Sequence, residues 1–340
     1  MNFSKSLLSA LVLVIAGCAN QPLCRFSIRA KPLPPAHTKP YRPEPWRSFD
    51  GTAIPYSVWK PAKGTPVKAV VILVPGWDAT MTEYAPLAQH LEGEGYIAYG
   101  SEQRVGIYDP KPSRRGNPEN WIDWVKDLQA FTEFVGRSEP GRRIFYHAHS
   151  FGTLVALQTI SVERQAKSSF APRGVILQSL AMPFLLETEY PMLGGFLSTI
   201  KDVRLPHLRM AELFNGRPTG DDVLSCQWLT SKDRVRRGYA VNYFLQAARL
   251  GHEARAAARE SGPPTLALEG KQDNVVAPLP LQKIAYHRFL TEDLRRGHAT
   301  VEVYPNGFHT ITVQGVKSLA QQADSDRAMR DITSWLDAHL

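Results

Sequence analysis

The chain has 340 residues, of which 43% are hydrophobic, 10% aromatic and 21% charged. That balance suits a globular protein with a sizeable buried core and excludes collagenous, coiled-coil and wholly disordered chains. Lysines and arginines total 40 against 32 acids, a formal charge of +8, but they fall in scattered pairs (Arg114-Arg115, Arg142-Arg143, Arg236-Arg237, Arg295-Arg296) interleaved with acids. No helix or arm concentrates them, so the excess fits weak attraction to an anionic surface and not nucleic-acid recognition.

In chain order, Met1–Gly17 comes first, with Lys5 ahead of an apolar run from Leu7 to Ala16. About ten apolar residues are too few for a permanent membrane span and suit a signal-peptide core. Ile15-Ala16-Gly17-Cys18 resembles the bacterial lipobox, which implies cleavage after residue 17 and fatty acylation of Cys18. The alternative is an ordinary signal peptide with an incidental cysteine. Ala19-Asn20, with no aspartate directly after the cysteine, resembles the pattern sorted to the outer membrane. The expected location is therefore the bacterial cell envelope, lipid-anchored and facing the periplasm. Cys24 and Cys226 remain; export permits a disulfide between them, and two free thiols fit equally well. Residues 18–45 are rich in proline and basic side chains and read as a semi-rigid tether.

From Trp46 and the Asp50-Gly51 turn a folded domain is expected to run to residue 340. Lys68–Val74 is a continuous apolar run, the mark of a strand buried on both faces. A helix is expected over Thr82–Gly95, with Tyr84, Leu87 and Leu91 on one side, then a strand at Tyr96–Tyr99. Trp121–Val135 is amphipathic. Arg143–His147 reads as a strand, Leu154–Val162 as a helix and Gly174–Gln178 as a strand. Strands at Thr265–Glu269 and Val301–Tyr304 flank a helix near Leu279–Leu290, and Asp326–Leu340 closes the chain as a helix. This alternation predicts an α/β doubly wound, mostly parallel sheet. Residues from about 183 to 258 break the rhythm and are expected to form an inserted helical cap.

Ser150 lies in Ala148-His149-Ser150-Phe151-Gly152, directly after an apolar strand and before a helix. A nucleophile elbow needs that context, with small residues two positions either side of the serine. Alanine at 148, where glycine is usual, is a mild departure. A serine needs a base oriented by an acid. Asp273 follows one late strand and His309 the next, both at carboxyl ends, where open α/β sheets gather their ligands. The expected triad is Ser150, Asp273 and His309, with the N–H groups of Phe151 and Trp77 as the oxyanion hole. His147-x-His149 is not read as a zinc pair, and the chemistry calls for no metal or cofactor.

Taken together, Pro75-Gly76-Trp77, Tyr84-Ala85-Pro86-Leu87-Ala88, Gly95-Tyr96, Arg104-Val105-Gly106, Ser113-Arg114-Arg115-Gly116, Trp124-Val125-Lys126-Asp127, the Ser150 elbow, Gly270-Lys271-Gln272-Asp273 and Asn306-Gly307-Phe308-His309 are a recognisable set. From about Trp46 onward the chain resembles the α/β hydrolases of the monoacylglycerol lipase, lysophospholipase and serine-aminopeptidase-like group. Two departures are Pro75-Gly76 where that group has His-Gly, and Glu102-Gln103-Arg104-Val105-Gly106 where it has Asp-x-Arg-Gly-x-Gly. The resemblance implies carboxylic ester hydrolysis through an acyl-enzyme, on an acylglycerol, lysophospholipid or other lipid or ester substrate. Pro183-Phe184-Leu185-Leu186 and Met192–Leu197 offer the cap an apolar surface for an acyl chain. Rival expectations are an exopeptidase, for which Glu187, Glu189 and Asp202 could bind a substrate amine, a small polar-ester esterase, and a non-catalytic tethered binding protein.

Overall fold

The structure, a computed structural model, describes residues 44–77, 79–106, 109, 114, 116–181, 241–259, 262–273, 299–313 and 318–340. The signal segment, Cys18, Cys24, Cys226, most of the tether, the helix expected near Leu279–Leu290 and residues 183–240 of the expected cap lie outside them.

Strands β1 (Trp46–Arg47) and β2 (Ala53–Ile54) form a small antiparallel hairpin around the Asp50-Gly51 turn. There follow β3 (Tyr56–Trp59), β4 (Val70–Val74), α1 (Ala85–Gly93), β5 (Ile97–Ser101), α2 (Ile122–Ser138), β6 (Ile144–His149), α3 (Phe151–Gln165) and β7 (Gly174–Gln178). After the undescribed stretch come α4 (Val241–Arg259), β8 (Thr265–Gly270), β9 (Ala299–Tyr304) and α5 (Leu319–Ala338). Among the described residues the main sheet has seven strands in the order β3-β5-β4-β6-β7-β8-β9. Only the β3–β5 pair is antiparallel; every other pair is parallel.

Strands β4, β6, β7 and β8 are buried along their whole length, which is why each reads as an apolar run without polar alternation. Successive side chains still divide between two faces. Val70, Ile72 and Val74 join Tyr146 and Ala148 against α2, α3 and α4, while Val71, Leu73 and Phe145 meet α1 and α5 on the other side. Burying a side chain of this size stabilises by about 1.5–3 kcal/mol, so two layers of such contacts hold the sheet as the rigid base of the site. Helix α4 falls within the stretch expected as a cap, yet Tyr243, Ala247, Leu250 and Ala254 place it in the same core as α3.

The N-terminal hairpin is pinned by long-range polar contacts. Trp46 Nε1 donates to Ser101 Oγ at 2.7 Å, and Ser48 donates to Asp127 of α2. Arg104 lies between, giving bonds to Asp127 at 2.6 and 2.8 Å and to Asp50 at 2.7 and 3.1 Å. Its guanidinium holds the Asp50 carboxyl well below the usual carboxylate range, whereas burial pushes Asp127 upward against the pull of Arg104. The closing helix starts earlier than expected, at Leu319, because Ser318 and Gln321 form a reciprocal capping box.

Candidate active site

Strand β6 ends at His149 and helix α3 begins at Phe151, leaving Ser150 alone in the turn with φ 51° and ψ −124°. An L side chain rarely adopts positive φ, so neighbouring bonds must impose it. Ser150 N–H donates to the Gln178 carbonyl of β7 at 2.9 Å, and its own carbonyl accepts from Thr153 N at 2.9 Å and Thr153 Oγ1 at 2.6 Å. Gly152 completes the turn: a Cβ there would lie 2.5 Å from the carbonyl oxygens of both Val74 and Pro75. Only glycine lets α3 approach β4 this closely.

The acid and base come from the next strand ends. Asp273 follows β8 and His309 follows β9, and the two loops are pressed together at a pair of glycines. A Cβ on Gly270 would meet the Gly307 carbonyl oxygen at 2.4 Å. Gln272 N–H donates to that carbonyl at 2.9 Å, and Lys271 N–H to Tyr304 O at 3.0 Å. The result is a continuous line: His309 Nδ1 lies 2.8 Å from Asp273 Oδ2, and His309 Nε2 lies 2.8 Å from Ser150 Oγ. A carboxylate only accepts, so Nδ1 carries the proton and Nε2 accepts from the serine hydroxyl. Ser150, Asp273 and His309 are 8%, 4% and 3% exposed, which keeps the line out of bulk water.

Above Ser150 runs the loop after β4. A Cβ on Gly76 would lie 3.2 Å from Ser150 Cβ, so the Gly76–Trp77 peptide borders the nucleophile. Gly76 N–H is engaged by Tyr84 Oη at 2.8 Å, and Trp77, the donor expected from the sequence, follows it in the same loop. Phe151 begins α3 beside the serine, at the positive end of the helix dipole. Both side chains meet Tyr243 of α4, with ring centroids 5.8 Å away for Trp77 and 5.9 Å for Phe151. The departure at 102 and its neighbour Gln103 have jobs here: Gln103 Nε2 donates to the Pro75 carbonyl at 2.8 Å, and Glu102 accepts from Met81 N–H at 2.9 Å.

Three further residues, His149, Tyr84 and Ser179, have roles that the sequence does not announce. His149 is 3% exposed and its ring reaches both Tyr84 Oη, 2.9 Å from Nδ1, and the His309 carbonyl, 3.0 Å from Nε2. Burial, with His309 alongside, holds its pKa well below the usual histidine value, so the ring is neutral. His147, one pleat earlier, is fully buried and pushed down to about 4 by burial. Position next to the nucleophile is the one sequence signal for His149. Tyr84 and Ser179 give none, because their partners are remote in sequence. Glu187, Glu189, Asp202 and the apolar cap residues lie outside the described residues.

A mostly parallel sheet with a serine at a strand-to-helix turn, and an acid and a histidine after later strands, defines the α/β-hydrolase fold. Residues 65–314 match the family described as serine aminopeptidase, S33, and the chain belongs to it. It is accordingly an enzyme, a serine hydrolase. None of the curated proteins matches this chain. Among solved structures it is similar to a thermostable carboxyl esterase from Bacillus coagulans, with TM-score 0.66 and 14% identity over 88% of this chain and 99% of that one. It is similar also to a soluble variant of monoglyceride lipase from Saccharomyces cerevisiae, with TM-score 0.65 and 17% identity over 91% and 99% of the two chains. For the monoacylglycerol lipase of Paleococcus ferrophilus the TM-score is 0.60, with 17% identity over 84% and 99%. At such identities the likeness establishes the fold.

Proposed function

We propose that the protein hydrolyses carboxylic esters of the acylglycerol or lysophospholipid type, with Ser150 as nucleophile, His309 as base and Asp273 as its orienting acid. The observation that carries this reading is the buried line Asp273–His309–Ser150, joined at 2.8 Å on each side of the imidazole. His309 takes the Ser150 proton as Oγ attacks the ester carbonyl, and the Trp77 and Phe151 N–H groups stabilise the oxyanion. Collapse of the tetrahedral intermediate expels the alcohol, protonated by His309, and leaves an acyl-enzyme. Water, activated by the same histidine, then releases the acid. Esterase and lipase neighbours of the same fold support the substrate class.

The test is p-nitrophenyl ester hydrolysis across acyl lengths from acetyl to palmitoyl, wild type against Ser150→Ala. The expected result is turnover that peaks at medium or long chains and disappears in the variant. The family's description favours a second reading, an exopeptidase on the same triad; aminoacyl-arylamide cleavage without ester turnover would select it. We further propose that Cys18 carries a lipid anchor that holds the enzyme at the outer membrane, facing the periplasm. Metabolic labelling with a fatty-acid probe tests this, and label retained in Cys18→Ala would refute it. Among the described residues no helix is long and apolar enough to cross a membrane.

A further inference from the structure

Proton transfer between Ser150 and His309 needs the imidazole to stay in reach, yet the groups that hold the His309 main chain stand outside the triad. Its carbonyl oxygen accepts from Ser179 Oγ at 2.8 Å and from His149 Nε2 at 3.0 Å. A carbonyl only accepts, so the single proton of neutral His149 sits on Nε2. Nδ1 then presents a lone pair, filled by the Tyr84 hydroxyl at 2.9 Å. Tyr84 oxygen in turn accepts the Gly76 N–H at 2.8 Å. Each group in this chain donates or accepts in the sense its chemistry allows, the His309 carbonyl accepting twice through its two lone pairs.

The same bonds join three separate parts of the site. Tyr84 touches the loop that carries Trp77, His149 adjoins the nucleophile, and His309 is the base. Ser179 stands at the end of β7 with φ 51°, held there as its N–H donates to the Leu268 carbonyl at 2.9 Å. Tyr84 and Ser179 are 0% exposed, whereas Phe308, next to the base, is 38% exposed and gives its loop no apolar anchor. Ile311 and Val313 anchor the loop further on in the core, and at the base itself hydrogen bonds to the carbonyl fix the pivot about which the imidazole must swing from nucleophile to leaving group.

We propose that Ser179 and the His149–Tyr84 pair are positioning residues: they clamp the main chain of the base and keep the oxyanion loop in register with it. This inference rests on the triad reading given above. Ser179 and Tyr84 do not touch the reacting atoms, and His149 makes no hydrogen bond to them although its ring packs 4.9 Å from that of His309, so removal of the clamp lowers kcat and spares KM.

The experiment compares kcat, KM and melting temperature of Ser179→Ala, Ser179→Gly and Tyr84→Phe on the best p-nitrophenyl ester, with Ser150→Ala in parallel. Each of the three positioning variants is expected to lose about tenfold in kcat, the worth of one buried hydrogen bond, with KM within about twofold of wild type. Ser179→Gly separates positioning from stability. Glycine adopts φ 51° without strain, so this variant melts no lower than Ser179→Ala and is nonetheless equally slow. Wild-type kcat in Ser179→Gly and Tyr84→Phe, or a loss confined to KM, would overturn the clamp. Activity surviving in Ser150→Ala would instead overturn the triad, and the clamp with it.

Discussion

Strands β6 and β7 lie side by side, and each is followed directly by a serine held at φ 51°. Ser150 and Ser179 thus share a positive φ, and both hydroxyls address the same histidine. They differ in which part of it they reach. Ser150 meets the imidazole and can lose its proton to it; Ser179 donates to the main-chain carbonyl and can only hold it. The downstream chain differs too. After Ser150 a helix starts at once, and Gly152 sits against the β4 carbonyls, so a helix N-terminus faces the nucleophile. After Ser179 the chain continues through Leu180 to Ala181, whose N–H is taken by Thr153 Oγ1 at 3.1 Å. Backbone strain marks both positions; the bond to the imidazole and the helix that starts directly after it mark only Ser150 as the proposed nucleophile.

The contrast between the two serines is most exposed to disproof at the triad. Asp273→Asn and His309→Ala should each lower kcat by about 10³–10⁴ while circular dichroism and melting temperature stay close to wild type. A residual rate within tenfold of wild type for either would remove the special status of β6. Next in size is the elbow's glycine. Gly152→Ala forces a methyl to 2.5 Å from two carbonyl oxygens, and it should destabilise by more than about 3 kcal/mol in urea unfolding, like other severe overpacking. The corresponding residue after Ser179 already carries a Cβ, so Ala181→Ser should stay within about 1 kcal/mol; equal losses at the two positions would erase the distinction.

A third prediction concerns acid. His147 is buried on β6 and its folded pKa lies near 4, below the usual 6.5. The unfolded chain then binds more protons than the native state between these values. Stability from this residue is therefore fully present above about pH 6.5 and falls as pH drops toward 4, by up to about 1.4 kcal/mol per pH unit. His147→Leu should flatten that slope by the share of one proton, measured by denaturation at pH 4.5, 5.5 and 7. An unchanged slope would place the acid sensitivity elsewhere, His149 being the next candidate. The smallest effect is expected at Val105, a β-branched residue at φ 57° and outside the triad. Val105→Gly relieves about 1–2 kcal/mol of strain but removes a side chain only 3% exposed in the core, so the two largely offset and stability should fall by about 1 kcal/mol with kcat unchanged. A loss of activity would show that the 104–106 turn supports the site directly.

Much of the fold is legible in the sequence because burial on both faces leaves a simple trace. The runs at β4, β6, β7 and β8 need no periodicity, and Gly174–Gln178 coincides with the expected strand. Ser150, Asp273 and His309 can be paired in advance because chain order and strand ends constrain where such groups meet. Strands β1 and β2 leave no comparable trace: two residues each, they persist through Trp46–Ser101 and Ser48–Asp127, contacts between remote segments. The early start of α5 escapes a search for apolar periodicity although Ser318-x-x-Gln321 is written in the chain, because its first turn is polar and offers no apolar stripe. Helix α3 begins at Phe151, ahead of the expected Leu154, because packing against β4 overrides the poor helical propensity of Gly152 and Thr153. Hydrogen bonds from Tyr84 and Ser179 depend on side-chain direction across the finished fold, which no local pattern encodes.

Which of the two strained serines reacts can be measured directly. The enzyme is treated with a fluorophosphonate, an acylation mimic that modifies only a serine activated by a base, and the labelled peptide is identified by mass spectrometry. A single nucleophile on β6 predicts one adduct per chain, on Ser150, lost in Ser150→Ala and slowed in His309→Ala, with Ser179 unlabelled throughout. An adduct on Ser179, or undiminished labelling after Ser150→Ala, would contradict it.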